Sequence, residues 1–182
     1  MLGRDEALEL VRGRIANPNL VKHMLAAEAV MDALAGRLGE DRDLWSRTGL
    51  LHDLDLDVTE GDAERHGRVA YEVLGAADVP EELRQAVLAH VGHVPARTRL
   101  EQAIVAADPV TGLITAAALV APSRKLADVR VDSLRKRMKE KRFAANVNRE
   151  QIGRCADLGL TVEEFLALSL EAMQRVAPEL GL

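Results

Sequence analysis

The chain has 182 residues, which is enough for one domain with a substantial hydrophobic core. Hydrophobic residues make up 48% and aromatic residues 2%, which excludes a disordered chain and favours close-packed helices of Leu, Val and Ala. The net charge is −5, and the single Cys155 excludes an internal disulfide and a cysteine metal cluster. Any bound metal is therefore expected to have nitrogen and oxygen ligands.

The pattern of apolar residues predicts an all-α protein, because their spacing is near 3.6 residues and strand-like alternation is nearly absent. A first helix covers roughly residues 5–15. Asn17 and Pro18 predict the N-cap and first residue of a second helix, which runs to about Leu38 and stops at Gly39.

The middle of the chain continues with helices. Asp41 or Asp43 starts a third helix that ends near His52, and the polar residues 55–62 are predicted to form a loop. Further helices are predicted at about residues 64–76, 80–91 and 99–120. Pro109 should disturb the last of these, because proline lacks a backbone donor and clashes with the preceding turn.

The remainder of the chain has shorter and more charged helical segments. Asn148 and Thr161 each stand three residues before a Gln or Glu, and they predict capping boxes of two closing helices. We predict one domain over residues 1–182, with a motif-bearing core of about 15–120 and a helical appendage of about 123–182.

A set of histidines and aspartates is spread over successive predicted helices, next to apolar residues at helical spacing. Such side chains can converge on one cavity of a helical bundle. They are costly to bury unless something neutralises them, and a divalent metal ion does so. The candidates are His23, His52, Asp53, His66, His90 and Asp108. His93 is a further candidate near the site, or a loop residue.

The order of these residues resembles the HD superfamily of metal-dependent phosphohydrolases, and more closely its small stand-alone bacterial members. The resemblance implies an HD-domain-like helical bundle with additional C-terminal helices. The matching stretches are residues 17–23, 49–54, 64–67, 86–90 and 103–108.

The resemblance also implies a ligand set for one or two divalent transition-metal ions (Fe, Mn, Co, Ni or Zn). One ion would be bound by His23, His52, Asp53 and Asp108, and a second by His66 and His90, with Asp53 as the bridging catalytic residue. The implied reaction is hydrolysis of a phosphomonoester or phosphodiester by a metal-activated hydroxide. The expected substrate is a nucleotide-like small molecule.

One departure from the family concerns the residues after the His-Asp pair. Many relatives have a lysine there that can meet phosphate, whereas this chain has residues 54–57, Leu-Asp-Leu-Asp. The absence favours an alternative, a catalytically silent HD-type module that binds metal or senses a ligand. Asp55 or Asp57 is a candidate acid for the leaving group, and the sequence selects neither.

Phosphate binding must then come from the metal ions or from cationic side chains elsewhere. The candidates are Arg65, Arg68 and Lys125, with Lys22 as a further one. Lys22 lies on a different face of its helix from His23, so we expect it to be solvated.

The distribution of charge along the chain indicates which kind of binding partner to expect. Residues 124–142 contain nine Lys/Arg and three Asp/Glu, a balance of +6, which leaves −11 for the rest of the chain. An acidic body with one basic strip does not favour broad nucleic-acid binding, so we expect a small-molecule partner. No apolar run approaches membrane-spanning length and the first residues lack the order of a signal peptide, so we expect a cytoplasmic protein without membrane contact.

Overall fold

The structure, a computed structural model, describes residues 2–77 and 79–182. It confirms the predicted all-α class, since no strand occurs among these residues. Short 3₁₀ helices cover Leu126–Asp128 and Arg154–Leu158. The α-helices are α1 (Arg4–Arg14), α2 (Pro18–Leu38), α3 (Arg42–Leu51), α4 (Leu56–Thr59), α5 (Arg68–Ala76), α6 (Glu81–His90), α7 (Arg99–Val120), α8 (Val131–Lys139), α9 (Arg149–Gly153), α10 (Val162–Arg175) and α11 (Ala177–Leu180).

Helix α2 has the ends that the sequence predicts. The side chain of Asn17 accepts a hydrogen bond from the Asn19 amide, and Pro18 is the first helical residue. Gly39 ends the helix with a positive φ of 74°, which costs glycine least. For α3, the structure selects Asp41 over Asp43 as the N-cap, because its carboxylate accepts from the Leu44 amide.

Helices α2 and α3 pack closely at Gly49. A Cβ atom at Gly49 would lie 2.5 Å from the carbonyl oxygen of Ala27, so only glycine permits this approach of the two backbones. Their packing places His52, which directly follows α3, beside His23 in the second turn of α2.

A partly buried ion-pair cluster joins the first three helices. Arg4 of α1 makes two hydrogen bonds, of 2.8 and 2.9 Å, to the carboxylate of Glu28 in α2. Arg47 of α3 approaches the same carboxylate at 3.4 Å. Both Glu28 and Arg47 are buried, and each has an opposite charge beside it. This cluster therefore needs no ligand to neutralise it.

Two predicted segments differ from the structure between residues 55 and 67. The predicted polar loop contains the short helix α4, and the predicted helix at 64–76 starts only at Arg68. Gly67 has φ of 79° and its amide donates to Asp55, which places His66 in a turn rather than in a helix. A contact between distant residues thus decides where α5 begins.

Helix α7 is the most buried long helix of the described chain, and it continues through Pro109 without interruption. By length and composition it would suit a membrane span, so the expectation that no apolar run approaches such length was wrong. However, 61% of its most apolar stretch is buried inside the protein. The core, which packs around α7, accounts for its apolar character.

The helices after α7 extend the same hydrophobic core. Leu126, Leu134 and Phe165 are fully buried in it, and α10 packs against both α2 and α7. Thr161 forms the predicted capping box of α10. Asn148 caps α9 by accepting from two backbone amides, without the reciprocal side-chain bond that a capping box has.

Candidate metal centre

Four of the predicted residues form a first ligand group. His23 Nε2 lies 3.2 Å from His52 Nε2, 3.3 Å from Asp53 Oδ2 and 3.1 Å from Asp108 Oδ1. His52 Nε2 lies 3.3 Å from the same oxygen of Asp53. The second turn of α2, the two residues after α3 and the middle of α7 supply these side chains.

A second ligand group uses the other oxygen of Asp53. Its Oδ1 lies 3.4 Å from His66 Nε2 and 3.2 Å from His90 Nε2. His66 comes from the turn before α5, and His90 is the last residue of α6. The two groups therefore share one carboxylate, and each presents ligand atoms within 4.8 Å of one another.

The spacing of the ligand atoms suits transition-metal coordination. Ligand atoms bound tetrahedrally at 2.0–2.1 Å from one ion are separated by about 3.3 Å. The distances within the first group are mostly 3.1–3.3 Å, with His52 and Asp108 at 3.8 Å. Imidazole nitrogens with carboxylate oxygens also form the donor set of such ions. The residues present therefore fit a divalent transition metal.

The backbone orients two of the imidazoles. His52 Nδ1 is 2.8 Å from the Gly49 carbonyl oxygen, and His90 Nδ1 is 2.5 Å from the Val87 carbonyl oxygen. A carbonyl oxygen only accepts, so Nδ1 carries the proton in both rings. The Nε2 lone pair of a neutral ring then points at Asp53, as a metal ligand requires.

Side chains orient the other two imidazoles. His66 Nδ1 donates to Asp55 Oδ1 at 2.8 Å. His23 Nδ1 is 2.9 Å from Thr111 Oγ1, and that hydroxyl donates its own proton to the Asp108 carbonyl oxygen at 2.8 Å. The Thr111 oxygen therefore accepts from His23, and all four rings keep Nε2 for a ligand bond.

Asp55 connects His66 to the start of α5. Besides His66, it accepts from the backbone amides of Gly67 at 2.8 Å and Ala70 at 2.9 Å, at the start of α5. Burial alone would raise the pKa of Asp55, but the bonds to His66 and to these amides outweigh burial and lower it. These bonds, in which both carboxylate oxygens accept, favour a supporting role, and the suggested role as an acid stays a prediction.

Sequence reasoning missed the supporting roles of Asp55 and Thr111. Asp55 follows Asp53 by two residues, but its partners lie 11 to 15 residues further along, so no local spacing indicates them. Thr111 gave a weak signal, because a threonine three residues after Asp108 can bond back to the helix backbone.

His93 lies beside the site and outside both ligand groups that the described residues form. Its Nε2 donates to the backbone carbonyl oxygen of His66 at 2.8 Å. The side chain is half-buried, so it holds the turn that carries His66.

The charges of the cluster depend on one another. Burial alone would lower the pKa of His23, but hydrogen bonds to Asp108 and Asp53 raise it to about 9. Burial would also lower the pKa of His52, but the charge of Asp53 and hydrogen bonds to Asp108 and Asp53 raise it. Burial would raise the pKa values of Asp53 and Asp108, yet the imidazoles hold both well below their usual range. Without a bound cation, imidazolium protons neutralise these carboxylates, and a metal ion must displace them.

The cations suggested for phosphate binding lie in different places. Arg65 and Arg68 flank His66 and are exposed, and Lys125 is exposed in the segment after α7. Their role stays a prediction.

Lys22 is half-buried and lines a cavity together with His23, which corrects the expectation that it is solvated on another face. Asp57 accepts a hydrogen bond from the Ala16 amide.

Comparison with known proteins identifies the family of the chain. The sequence profile described as HD domain matches residues 20–113, which contain every residue of both ligand groups. No solved structure matches the chain.

Several of the curated relatives that match are named Ribonuclease Y. The protein from Lactobacillus acidophilus is 28% identical over 93 residues, which cover 51% of this chain and 17% of the relative. The protein from Wolinella succinogenes is 31% identical over 93 residues, covering 51% and 18%. Ribonuclease Y 2 from Levilactobacillus brevis is 29% identical over 94 residues, covering 52% and 18%. The matched part is less than a fifth of these relatives.

Proposed function

Because the chain belongs to the HD domain family, we propose that it is a metal-dependent phosphohydrolase that acts on a phosphomonoester or phosphodiester of a nucleotide-like small molecule. The observation that carries the proposal is the position of Asp53, whose two oxygens face separate ligand groups. The relatives named ribonuclease support a phosphoester substrate, since a ribonuclease cleaves phosphodiester bonds.

The side chains of both ligand groups are already positioned for this chemistry. A pair of divalent cations would activate water near neutral pH and neutralise charge on the phosphate. The residues that would hold one cation are His23, His52, Asp53 and Asp108, and those for the other are Asp53, His66 and His90. The Nδ1 bonds fix the four rings in advance, and the three side chains of the second group leave room for water and phosphate.

A second candidate function is a metal-binding or ligand-sensing module without turnover. One observation favours it: residues 54–57 contain no cation, and Asp55 is engaged in supporting His66 and α5. Such a module would bind metal at the same ligand groups and leave phosphoesters intact.

Turnover by metal-loaded protein separates the two functions. The protein, purified without chelator and loaded with Mn²⁺ or Fe²⁺, is assayed on p-nitrophenyl phosphate, bis(p-nitrophenyl) phosphate and a nucleotide panel. We expect hydrolysis that Asp53→Ala lowers by more than about 100-fold, the upper range for residues that merely support a metal ligand. Asp132→Ala, at an exposed position on α8, is the matched control and should keep full activity. Bound metal with no turnover of any compound supports the sensing module.

A further inference from the structure

A cavity of about 560 Å³ adjoins the candidate metal centre, and His23 belongs to both. We propose that this cavity holds the organic group of the phosphoester, an aromatic or nucleoside-like group, and that Lys22 at its wall binds the phosphate. This inference rests on the proposed phosphohydrolase function, because it places the reacting phosphorus at the ligand groups beside His23. It adds to that function the place of the organic group and the cation that contacts the phosphate.

The walls of the cavity suit an apolar ring. Thr115, Ala116 and Leu119 of α7 form one side, and residues 180–182 form another. Leu119 is 52% exposed and is one of three large apolar residues in the described chain that are exposed rather than buried. An exposed apolar side chain at the mouth of a cavity is covered when a ring enters, which gives favourable burial. The volume also lies in the range of sites for small molecules.

Lys22 supplies the cation that the residues after the His-Asp pair lack. It precedes His23 on α2, and both side chains line the cavity. Its ammonium group lies against Gly181, where an added Cβ would be 3.1 Å from Nζ. Within residues 2–77 and 79–182, no carboxylate forms an ion pair with it. A half-buried ammonium group without a carboxylate partner, beside a metal ligand, suits a phosphate oxygen.

The cavity borders residues of α7 that have short side chains. Thr115 and Ala116 are half-buried and lie about two turns after Asp108. Larger side chains here would fill the cavity next to His23. A bulky residue at position 116 should therefore exclude a ring while it leaves the ligand groups unchanged.

A pair of phosphonates tests the cavity by binding rather than by turnover. Phenylphosphonate and methylphosphonate share the anionic group, and only the former has a ring. Calorimetric titration of the Mn²⁺-loaded protein should show phenylphosphonate binding about tenfold more tightly, because the ring buries apolar surface. Ala116→Trp should remove this preference and leave methylphosphonate affinity unchanged. Thr115→Phe is a second variant that fills the same space.

Matched variants control for the size and charge of the substitutions. Ala167→Trp, exposed on α10 and distant in sequence from the ligand groups, should keep the preference for phenylphosphonate. Lys22→Met should weaken both phosphonates by about tenfold, as expected for a lost charge-assisted bond. Lys139→Met, exposed on α8, should weaken neither. Melting temperatures show that each variant is folded.

The outcomes separate this inference from the proposed function. Equal binding of the two phosphonates, or a preference that survives both Ala116→Trp and Thr115→Phe, overturns the cavity assignment and leaves the hydrolase proposal standing. Unchanged affinity in Lys22→Met overturns the role of Lys22. Protein that holds Mn²⁺ but binds neither phosphonate, and hydrolyses no phosphoester, overturns the proposed function and the inference with it.

Discussion

The two ligand groups around Asp53 differ in how the fold holds them. Side chains of the first group come from α2, α3 and α7, which pack together in the core, and His52 is fully buried. The second group depends on a turn and on the end of α6, and one carboxylate, Asp55, orients His66. Core packing thus positions the side chains of the first group. A single buried carboxylate orients His66 in the second group. The second group should therefore be separable from the first.

The largest expected effect comes from removing one ligand of either group. His52→Ala should lower phosphoesterase activity by more than about 100-fold and lose the cation of the first group. His66→Ala should lower activity by a similar factor and retain one cation per chain, because the first group does not include His66. Elemental analysis of both variants beside the unaltered protein checks the difference. Loss of all metal in His66→Ala would show that the groups are not separable.

A smaller effect is expected from changing Asp55, which orients His66 in the second group. Asp55→Asn keeps the shape of the side chain but weakens the bond that orients His66. We expect affinity at the second group to fall by about 10–100-fold while the first group keeps its affinity. Competition with a metal-binding dye measures both affinities. Asp57→Asn, two residues along the chain, serves as the control, and equal weakening of both groups in Asp55→Asn would contradict the comparison.

The pH dependence should be the mildest effect and concerns mainly the first group. The pKa of His23 rises from 6.5 to about 9, so its contribution to stability without metal is full below pH 6.5 and is lost toward pH 9. Metal binding requires the deprotonated ring and strengthens over the same range. The difference in melting temperature between Mn²⁺-loaded and chelator-treated protein should therefore grow from pH 6 to pH 8. A constant difference, or one that shrinks, would contradict the assignment of His23.

The comparison also shows which parts of the molecule local sequence can predict. Both ends of α2 could be predicted, because Asn17, Pro18 and Gly39 each act on backbone groups within a few residues. The start of α5 could not, since Gly67 adopts its positive φ in a turn that Asp55 holds from twelve residues away. The helical spacing of apolar residues gives no information about contacts between residues so far apart.

The candidate site likewise has features that local sequence predicts and features that depend on distant residues. The six predicted side chains come together in two groups that share Asp53. Helical spacing indicated the inward positions of His23, His90 and Asp108, whereas His66 lies in a turn before α5. Their convergence depends on the close approach of two backbones at Gly49, which spacing alone does not express. Lys22 was misplaced for a similar reason, because the residues that enclose its side chain come from the far end of the chain.

Anomalous diffraction from crystals of the protein grown with Mn²⁺ tests the central claim most directly. We predict two anomalous peaks, one bounded by Nε2 of His23 and His52 and the other by Nε2 of His66 and His90, with one oxygen of Asp53 on each. Crystals in which these side chains lie apart, or in which Mn²⁺ binds elsewhere and leaves the Asp53 cluster without a peak, would contradict the account.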